Sequence, residues 1–259
     1  MAKPIVWKQK PGPCKMIKYI RSFFCVFCFC VFGLGGLLIG SAIFPIILLF
    51  YKSENQRKIF VNTVHISWRA FVWLMCALRL IRVKYHNPKK LKALRGTIVI
   101  ANHPSLIDVV ILVSKIPNSV CVVKDSLFKN PFIRKVIGKI YLSNTMAPDE
   151  FIKHAGDVLS KGYNIVMFPE GTRTIPNKEI RLHRGFAHLQ IETGAKILPI
   201  KITTNPPVLG KTQKWWDVGT KTSVYDIIPQ NYIYFDAKKA KNKRDMALDI
   251  TDKAKNILF

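Results

Sequence analysis

A run of 29 residues without a charged side chain, from Phe23 to Tyr51, constrains the fold of this chain more than any other feature. An α-helix needs about 20 apolar residues to cross the hydrocarbon core of a bilayer. The apolar region of a secretory signal peptide is about half as long as this run, and no clear small-residue cleavage site ends the run. The sequence therefore predicts a segment that enters a membrane.

Both flanks of this apolar run are basic. Six basic and no acidic residues precede it, and Lys52, Arg57 and Lys58 follow it. Because basic flanks favour the cytoplasmic side of a membrane, both ends are drawn to the same side. A straight span is the alternative, but we favour a bent or re-entrant helical hairpin with its bend near the glycines between residues 33 and 40.

Residues 59–83 extend the apolar region but contain Arg69, Arg79 and Arg82. This mixture predicts an interfacial or membrane-packed helix, with a buried helix of a soluble domain as the alternative. Residues 1–95 carry 17 basic side chains and one acid, Glu54. We therefore interpret residues 1–95 as a membrane-anchoring helical segment and expect anionic membrane lipids as partners.

The whole chain has a formal net charge of +26, which favours anionic partners. A nucleic-acid partner would rest on this charge alone, because no nucleic-acid-binding motif is recognisable, so none is expected. Three of the six cysteines lie in the apolar run, at Cys25, Cys28 and Cys30, where no His, Asp or Glu completes a metal site. We predict neither a metal site nor a disulfide framework.

Beyond Gly96, short β-branched runs alternate with helical stretches. This alternation predicts an α/β domain over residues 96–259, with a largely parallel or mixed sheet flanked by helices. Runs at 224–228 and 232–235 are candidate edge strands. The predicted strands are 97–101, 119–123, 139–142, 164–168 and 197–202, and the predicted helices lie near 105–115, 126–137, 149–161, 184–193 and from about 245.

The segment from Asn102 to Asp108 directly follows the predicted strand 97–101. Sites in α/β sheets form where strands end, and a proline suits the first helical turn, which places His103 at the strand-to-helix junction and Asp108 in the second turn. A carboxylate bound to one ring nitrogen fixes the histidine tautomer, so the other nitrogen can take a proton from a hydroxyl. A purely structural His near a helix start is the alternative.

The segment Phe168-Pro-Glu-Gly-Thr-Arg173 also follows a predicted strand, 164–168. A glycine lets backbone amides approach an anion, and an arginine offers a bidentate fork for phosphate. An ordinary Pro-Glu-Gly turn explains this segment equally well when it is taken alone. Two polar turns at the same end of one sheet, however, predict a shared site.

Together these segments resemble the glycerolipid acyltransferases, a family that includes bacterial 1-acylglycerol-3-phosphate acyltransferases. The segment from Asn102 to Asp108 is similar to the family's N-H-x4-D block, and Phe168 to Arg173 is similar to its F-P-E-G-T-R block. Weaker similarity at 123–132, 183–186 and 198–200 extends the resemblance over roughly residues 96–202.

The resemblance implies that His103 is a general base and Asp108 its orienting partner. It implies transfer of a fatty acyl group from acyl-CoA or acyl carrier protein to a lyso-lipid hydroxyl, with lysophosphatidate as the leading acceptor and without a cofactor. The location implied is the cytoplasmic face of a membrane, the inner membrane if the source is bacterial. The implied substrate-binding residues are Asn102, Lys124, Glu170, Gly171, Thr172 and Arg173, the last on a phosphate.

One segment departs from the family pattern. Where the family commonly has G-x-I-F-I-D-R, this chain has Gly138-Lys-Ile-Tyr-Leu-Ser-Asn144, with asparagine in place of arginine. Another lyso-lipid or a hydroxylated lipid therefore stays open as the acceptor, as does a substitute cation from Lys139 or Arg134. A non-catalytic lipid-binding protein that retains the fold is the alternative of a different class, and the intact His and Asp argue against it.

Overall fold

The computed structural model describes residues 13–51, 53–123, 142–143, 146–175, 177–233 and 242–259. The predicted helix at 126–137 and most of the predicted strand at 139–142 lie outside these ranges. Within them, an N-terminal pair of long helices precedes a mixed seven-stranded sheet with helices on both faces. The predicted fold class is confirmed.

The apolar N-terminal region forms two long antiparallel helical stretches. The first comprises α1 (Pro13–Leu38), a π-helical turn (Ile39–Ile43) and α2 (Phe44–Phe50), and the second is α3 (Ser53–Ala77). Ring contacts pair the two stretches in reverse order. The pairs are Phe29 with Phe71, Phe32 with Trp68, and Phe44 with Phe60.

The chain reversal lies after Tyr51, so the bend expected near the glycines between residues 33 and 40 was wrong. The backbone there stays helical. In an apolar segment, helical hydrogen bonds are the only partners for the backbone amides, which favours a continuous helix through glycine. The first stretch instead ends at Phe50, and α3 begins at Ser53.

The π-helical turn joins α1 to α2. The Phe44 amide donates to the Ile39 carbonyl, five residues back, and Pro45 follows with no amide hydrogen to donate. Phe44 is buried, and its ring centroid lies 4.4 Å from that of Phe60 on α3.

Two helical stretches, Lys15–Phe50 and Asn55–Ala77, are long and apolar enough to cross a membrane, by length and composition. The first also leaves many large apolar side chains exposed. An extended apolar surface of this kind is typical of contact with lipid or another apolar partner. Among the most exposed are Phe23, Leu34, Leu38, Ile46, Leu49 and Phe50.

The strand order in the sheet is β1-β7-β6-β2-β5-β3-β4, and all neighbours are parallel except β6 and β7. The strands predicted at 97–101, 119–123, 164–168 and 197–202 are confirmed. The bounds are β1 (Ile81–Tyr85), β2 (Ile98–Ala101), β3 (Ser119–Val123), β4 (Leu142–Ser143), β5 (Asn164–Met167), β6 (Ile197–Asn205) and β7 (Ser223–Pro229).

The helix expected over 59–83 ends earlier than predicted. After α3 ends at Ala77, Arg79 adopts a φ of 53°, and Ile81–Tyr85 pair with β7 as a strand. β7 therefore lies between β1 and β6, and the prediction of an edge strand at 224–228 was wrong. Ile233 makes a single bridge to Ile197, and residues 234–235 lie outside the described ranges.

Within the described ranges, the helices after β1 are α4 (Pro88–Lys92), α5 (Asp108–Lys115), α6 (Pro148–Ser160), α7 (Gly185–Thr193) and α8 (Lys243–Leu258). α5 packs against α3, whereas α7 packs against α6 and α8. The connection from β2 to β3 through α5 runs one way along the sheet, and the connections from β4 to β5 through α6 and from β5 to β6 through α7 run the other way. Because such crossovers are right-handed, α5 lies on one face of the sheet and α6 and α7 lie on the other. All four residues of the central strand β2 are fully buried, so the segment that follows β2 begins in the middle of the sheet.

Candidate active site

The predicted pair of His103 and Asp108 meets at the carboxyl end of β2. The chain leaves β2 at Ala101, passes His103 and enters α5 at Asp108. His103 Nδ1 lies 2.9 Å from Asp108 Oδ2, and the Asp108 side chain is fully buried whereas His103 keeps 19% of its side chain exposed. The imidazole is thus oriented from inside the protein and accessible from outside.

Ser105 fixes the carboxylate that orients the histidine. Its backbone amide donates to Asp108 Oδ2 at 2.7 Å, and its hydroxyl donates to Oδ1 at 2.6 Å. Burial raises the pKa of Asp108 above its usual value, and the hydrogen bonds from His103 and Ser105 oppose that rise. Sequence analysis overlooked Ser105, although a serine three residues before an acid is the pattern of a capping box.

The second motif packs directly against the first. The Phe168 ring stacks on the His103 imidazole with the ring centroids 4.2 Å apart and the planes 28° apart. Phe168 is the first residue of the second motif, but it was not among the predicted site residues. Its ring restricts one face of the imidazole and leaves the edge for a substrate.

Glu170 holds the backbone of His103. Its Oε1 accepts from the His103 amide at 2.8 Å and from the Thr174 hydroxyl at 2.8 Å, while the Thr174 amide donates to the His103 carbonyl at 2.8 Å. Burial raises the pKa of Glu170, and these hydrogen bonds oppose the rise. Substrate binding by Glu170 stays a prediction, and the contacts observed for its carboxylate are with the His103 amide and the Thr174 hydroxyl.

Asn102 likewise has a structural contact where substrate binding was expected. Its Nδ2 donates to the Ile202 carbonyl at 2.8 Å, and its Oδ1 accepts from the Ile202 amide at 2.7 Å. The side chain is buried. The Asn102 side chain thus takes the place of a pair of backbone hydrogen bonds just beyond the end of β2. It fixes the residues directly before His103 to β6.

Gly171 occupies a position that requires glycine. Its φ is +64°, and a Cβ atom there would lie 2.9 Å from His183 Nε2. Its amide donates to the Phe168 carbonyl at 3.0 Å, so this amide closes the turn and is not directed at an anion. Thr172, the next residue of the expected substrate site, is half-buried.

Arg173 connects the second motif to the loop between β6 and β7. Its Nη1 donates to the carbonyls of Leu209 and Gly210, each at 3.0 Å. The Leu106 amide donates to the same Leu209 carbonyl at 3.0 Å. A guanidinium has five N–H donors, so these bonds orient Arg173 while using only part of its capacity.

Some expected site residues lie outside the described ranges, namely Lys124, Arg134, Lys139 and Asn144. Their roles stay predictions. Within the ranges that the structure describes, no group of three or more His, Cys, Asp or Glu side chains is arranged to hold a metal ion.

Residues 82–203, which contain both motifs, match the family model described as Acyltransferase. The matched residues are just under half of the chain, and their similarity supports the glycerolipid acyltransferase family that the motifs predict. The match begins within β1 and ends within β6, so it covers the central strands of the sheet and the residues that contact His103, namely Asp108, Phe168, Glu170 and Thr174.

Proteins similar to this chain occur in plants and bacteria. The chain is 26% identical over 151 residues to a 1-acyl-sn-glycerol-3-phosphate acyltransferase from Cocos nucifera, with 54% of this chain and 46% of that protein covered. It thus spans about half the length of the plant relatives that it matches. An enzyme of the same name from Haemophilus influenzae is 25% identical over 214 residues, with 79% and 81% covered.

A solved structure shares the fold of this chain. The crystal structure of the 1-acyl-sn-glycerophosphate (LPA) acyltransferase PlsC from Thermotoga maritima superposes with a TM-score of 0.69. The sequences are 18% identical, and the alignment covers 93% of this chain and 97% of the other.

Proposed function

We propose that this protein is a membrane-bound O-acyltransferase that transfers a fatty acyl group from acyl-CoA or acyl carrier protein to the free hydroxyl of lysophosphatidate. The observation that carries the proposal is the buried contact between His103 and Asp108, with Phe168 of the second motif stacked on the imidazole. The relatives named as 1-acyl-sn-glycerol-3-phosphate acyltransferases support the same reaction and acceptor.

In the proposed reaction, the Asp108 carboxylate keeps the proton of His103 on Nδ1, so Nε2 accepts the proton of the acceptor hydroxyl. The hydroxyl oxygen attacks the thioester carbonyl, and the tetrahedral intermediate collapses with loss of the thiolate. The imidazolium then returns its proton to the thiolate sulfur. One ester bond forms, one thioester bond breaks, and no acyl-enzyme forms.

The acceptor phosphate is assigned to Arg173. A planar guanidinium binds phosphate oxygens in a bidentate manner, and the Leu209 and Gly210 carbonyls fix the plane of this one. The formal net charge of +26 favours approach of anionic donors and acceptors as well as anionic lipid. The exposed apolar side chains of α1 and α2 support a membrane location, and we assign the catalytic domain to its cytoplasmic face, where acyl donors are available.

Acyl transfer by purified protein in phospholipid vesicles tests the proposal. Radiolabelled acyl-CoA and acyl carrier protein are each offered with lysophosphatidate, other lysophospholipids and a hydroxylated lipid. We expect the highest kcat/KM with lysophosphatidate and a loss on the order of 10²–10⁴-fold for His103→Ala. His154→Ala, which removes an exposed histidine of α6, is the matched control and should keep wild-type activity.

Each outcome has a distinct meaning. Equal activity of His103→Ala and wild type would exclude His103 as the base. Preference for another lyso-lipid would keep the reaction and replace the acceptor, whereas no transfer to any acceptor would refute enzymatic function.

A further inference from the structure

The loop between β6 and β7 carries two exposed tryptophans beside lysines. Trp215 and Trp216 are 40% and 41% exposed, with ring centroids 5.3 Å apart. Lys214 Nζ lies 5.6 Å from the centre of the Trp216 ring, and Lys211 is also exposed. Exposed tryptophan is costly in water but typical of the membrane interface, where lysine reaches the headgroups.

This loop runs alongside the apolar N-terminal helix. Arg21 donates to the carbonyls of Gly219 and Lys221, and one helical turn further Cys25 Sγ contacts the Trp215 carbonyl at 3.4 Å. Another turn further, the Phe29 and Trp215 rings meet edge to face, with centroids 5.4 Å apart. The loop therefore follows α1 into its uncharged part.

Trp215 lies beside the uncharged part of α1. Arg21 is the last charged residue of α1, and Phe29 lies eight residues beyond it. At 1.5 Å per residue, this distance is about 12 Å along the helix axis. A membrane into which the uncharged part of α1 inserts therefore also contacts Trp215.

The charges around the tryptophans suit an anionic lipid surface. Asp217 is the one acid in the sequence from 206 to 222, and it is paired with Lys18 of α1 at 2.7 Å. Lys211 and Lys214 are exposed beside the tryptophans. Basic side chains near anionic headgroups strengthen membrane contact.

We propose that residues 211–216, the Trp loop, form a second membrane contact besides the N-terminal helices. In this contact Trp215 and Trp216 lie at the boundary between acyl chains and headgroups, and Lys211 and Lys214 face anionic lipid headgroups. Leu209 and Gly210, directly before the Trp loop, hold the guanidinium of Arg173. The membrane contact and the proposed phosphate-binding arginine therefore share one loop.

Fluorescence quenching tests this contact without reference to catalysis. A full-length variant with Trp7, Trp68 and Trp73 changed to Phe retains only the two tryptophans of the Trp loop. In anionic vesicles, we expect stronger quenching by lipids brominated near the headgroup than by lipids brominated near the bilayer centre. The control replaces all five tryptophans by Phe and adds His188→Trp, an exposed position on α7 on the opposite face of the sheet, and should not be quenched.

Two results would overturn the proposal. One is quenching of the Trp loop no stronger than that of the His188→Trp control. The other is a Trp-loop fluorescence that does not change when vesicles are added and changes only when acyl carrier protein is added. That result would assign the loop to a protein partner.

A kinetic arm, which rests on the proposed function, uses Lys211→Gln/Lys214→Gln. We expect KM for lysophosphatidate in anionic vesicles to rise on the order of 25-fold, since each of the two lysines near the surface strengthens membrane contact by about fivefold. The kcat/KM for a short-chain, water-soluble acceptor should stay unchanged. An equal loss of kcat/KM for both acceptors, or no change for either, would count against the membrane contact. Inactive wild-type protein would refute the proposed function alone, because quenching still reports the contact.

Discussion

The two oxygens of Asp108 receive three hydrogen bonds, one from His103 and two from Ser105. We expect Asp108→Asn to lower kcat on the order of 10²–10⁴-fold, because an amide no longer keeps the imidazole in the tautomer that accepts a proton. KM for the acceptor should change little, since Asp108 is buried and does not reach the substrate. A kcat equal to that of wild type would contradict this role.

The same substitution should change how the stability of the fold depends on pH. Because burial raises the pKa of Asp108 in the folded state, the folded protein binds this proton more tightly than the unfolded chain does. Its contribution to stability is therefore greatest below the usual pKa and is lost as pH rises through the raised pKa. As pH rises through this range, the Tm of Asp108→Asn in thermal unfolding should increase relative to that of wild type. A Tm difference that does not change with pH would contradict this prediction.

Glu170 offers a test that separates positioning from substrate binding. Glu170→Gln retains an oxygen for the amide of His103 and the hydroxyl of Thr174, so we expect nearly full activity. Glu170→Ala removes the acceptor and should lower kcat by roughly tenfold or more, since a buried donor left unpaired costs about 1–3 kcal/mol. Steady-state kinetics distinguish this from a substrate contact, for which Gln would raise KM.

The two motifs were recognisable in the sequence, whereas the contacts of their side chains were only partly predictable. The contact between His103 and Asp108 follows from a five-residue spacing across a strand-to-helix junction. By contrast, Glu170 bonds a backbone amide 67 residues away, and Asn102 bonds a strand 100 residues away. Such partners depend on strand order and register, which local residue patterns do not specify.

At the scale of elements, Arg21 joins α1 to the catalytic domain. Its guanidinium donates to four backbone carbonyls at 2.8–3.2 Å, those of Arg79, Leu80, Gly219 and Lys221. We expect Arg21→Ala to lower the free energy of unfolding by about 2 kcal/mol. Arg21→Lys should lose nearly as much, because an ammonium keeps the charge but not the planar fork.

Thermal unfolding in detergent measures this effect. Lys18→Ala is the control, because its partner Asp217 is solvent-exposed and such pairs contribute little. Rescue by Arg21→Lys would mean that charge, not geometry, makes the contact.

Whether a strand could be predicted depended on how apolar its sequence is. The β-branched runs at β2, β3, β5 and β6 were found because buried parallel strands are continuously apolar. β1 was missed because its sequence, Ile81-Arg-Val-Lys-Tyr85, continues an apolar helix without a proline or glycine to mark the boundary. Its alternation of apolar and basic residues was the available signal, and missing it also misplaced β7 at an edge.

For the whole molecule, apolar contact rather than charge should hold the protein in the membrane. At about 1 M salt the Debye length falls to roughly 3 Å, which screens lysine and arginine from anionic lipid. The exposed apolar side chains of α1 and α2 are unaffected by screening. Washing membranes with such salt should leave the protein in the pellet, as measured by immunoblotting of both fractions, and release into the supernatant would contradict it.

The π-helical turn between α1 and α2 sets which side of α2 meets the rest of the protein. An α-helix advances about 100° per residue, so one residue more or fewer within Ile39–Ile43 rotates everything beyond it by that angle. Phe44 would then turn away from Phe60 and towards the surroundings. In this stretch the number of residues, more than their identity, decides which side chains face lipid. Deleting one residue here should thus be more damaging than most single substitutions.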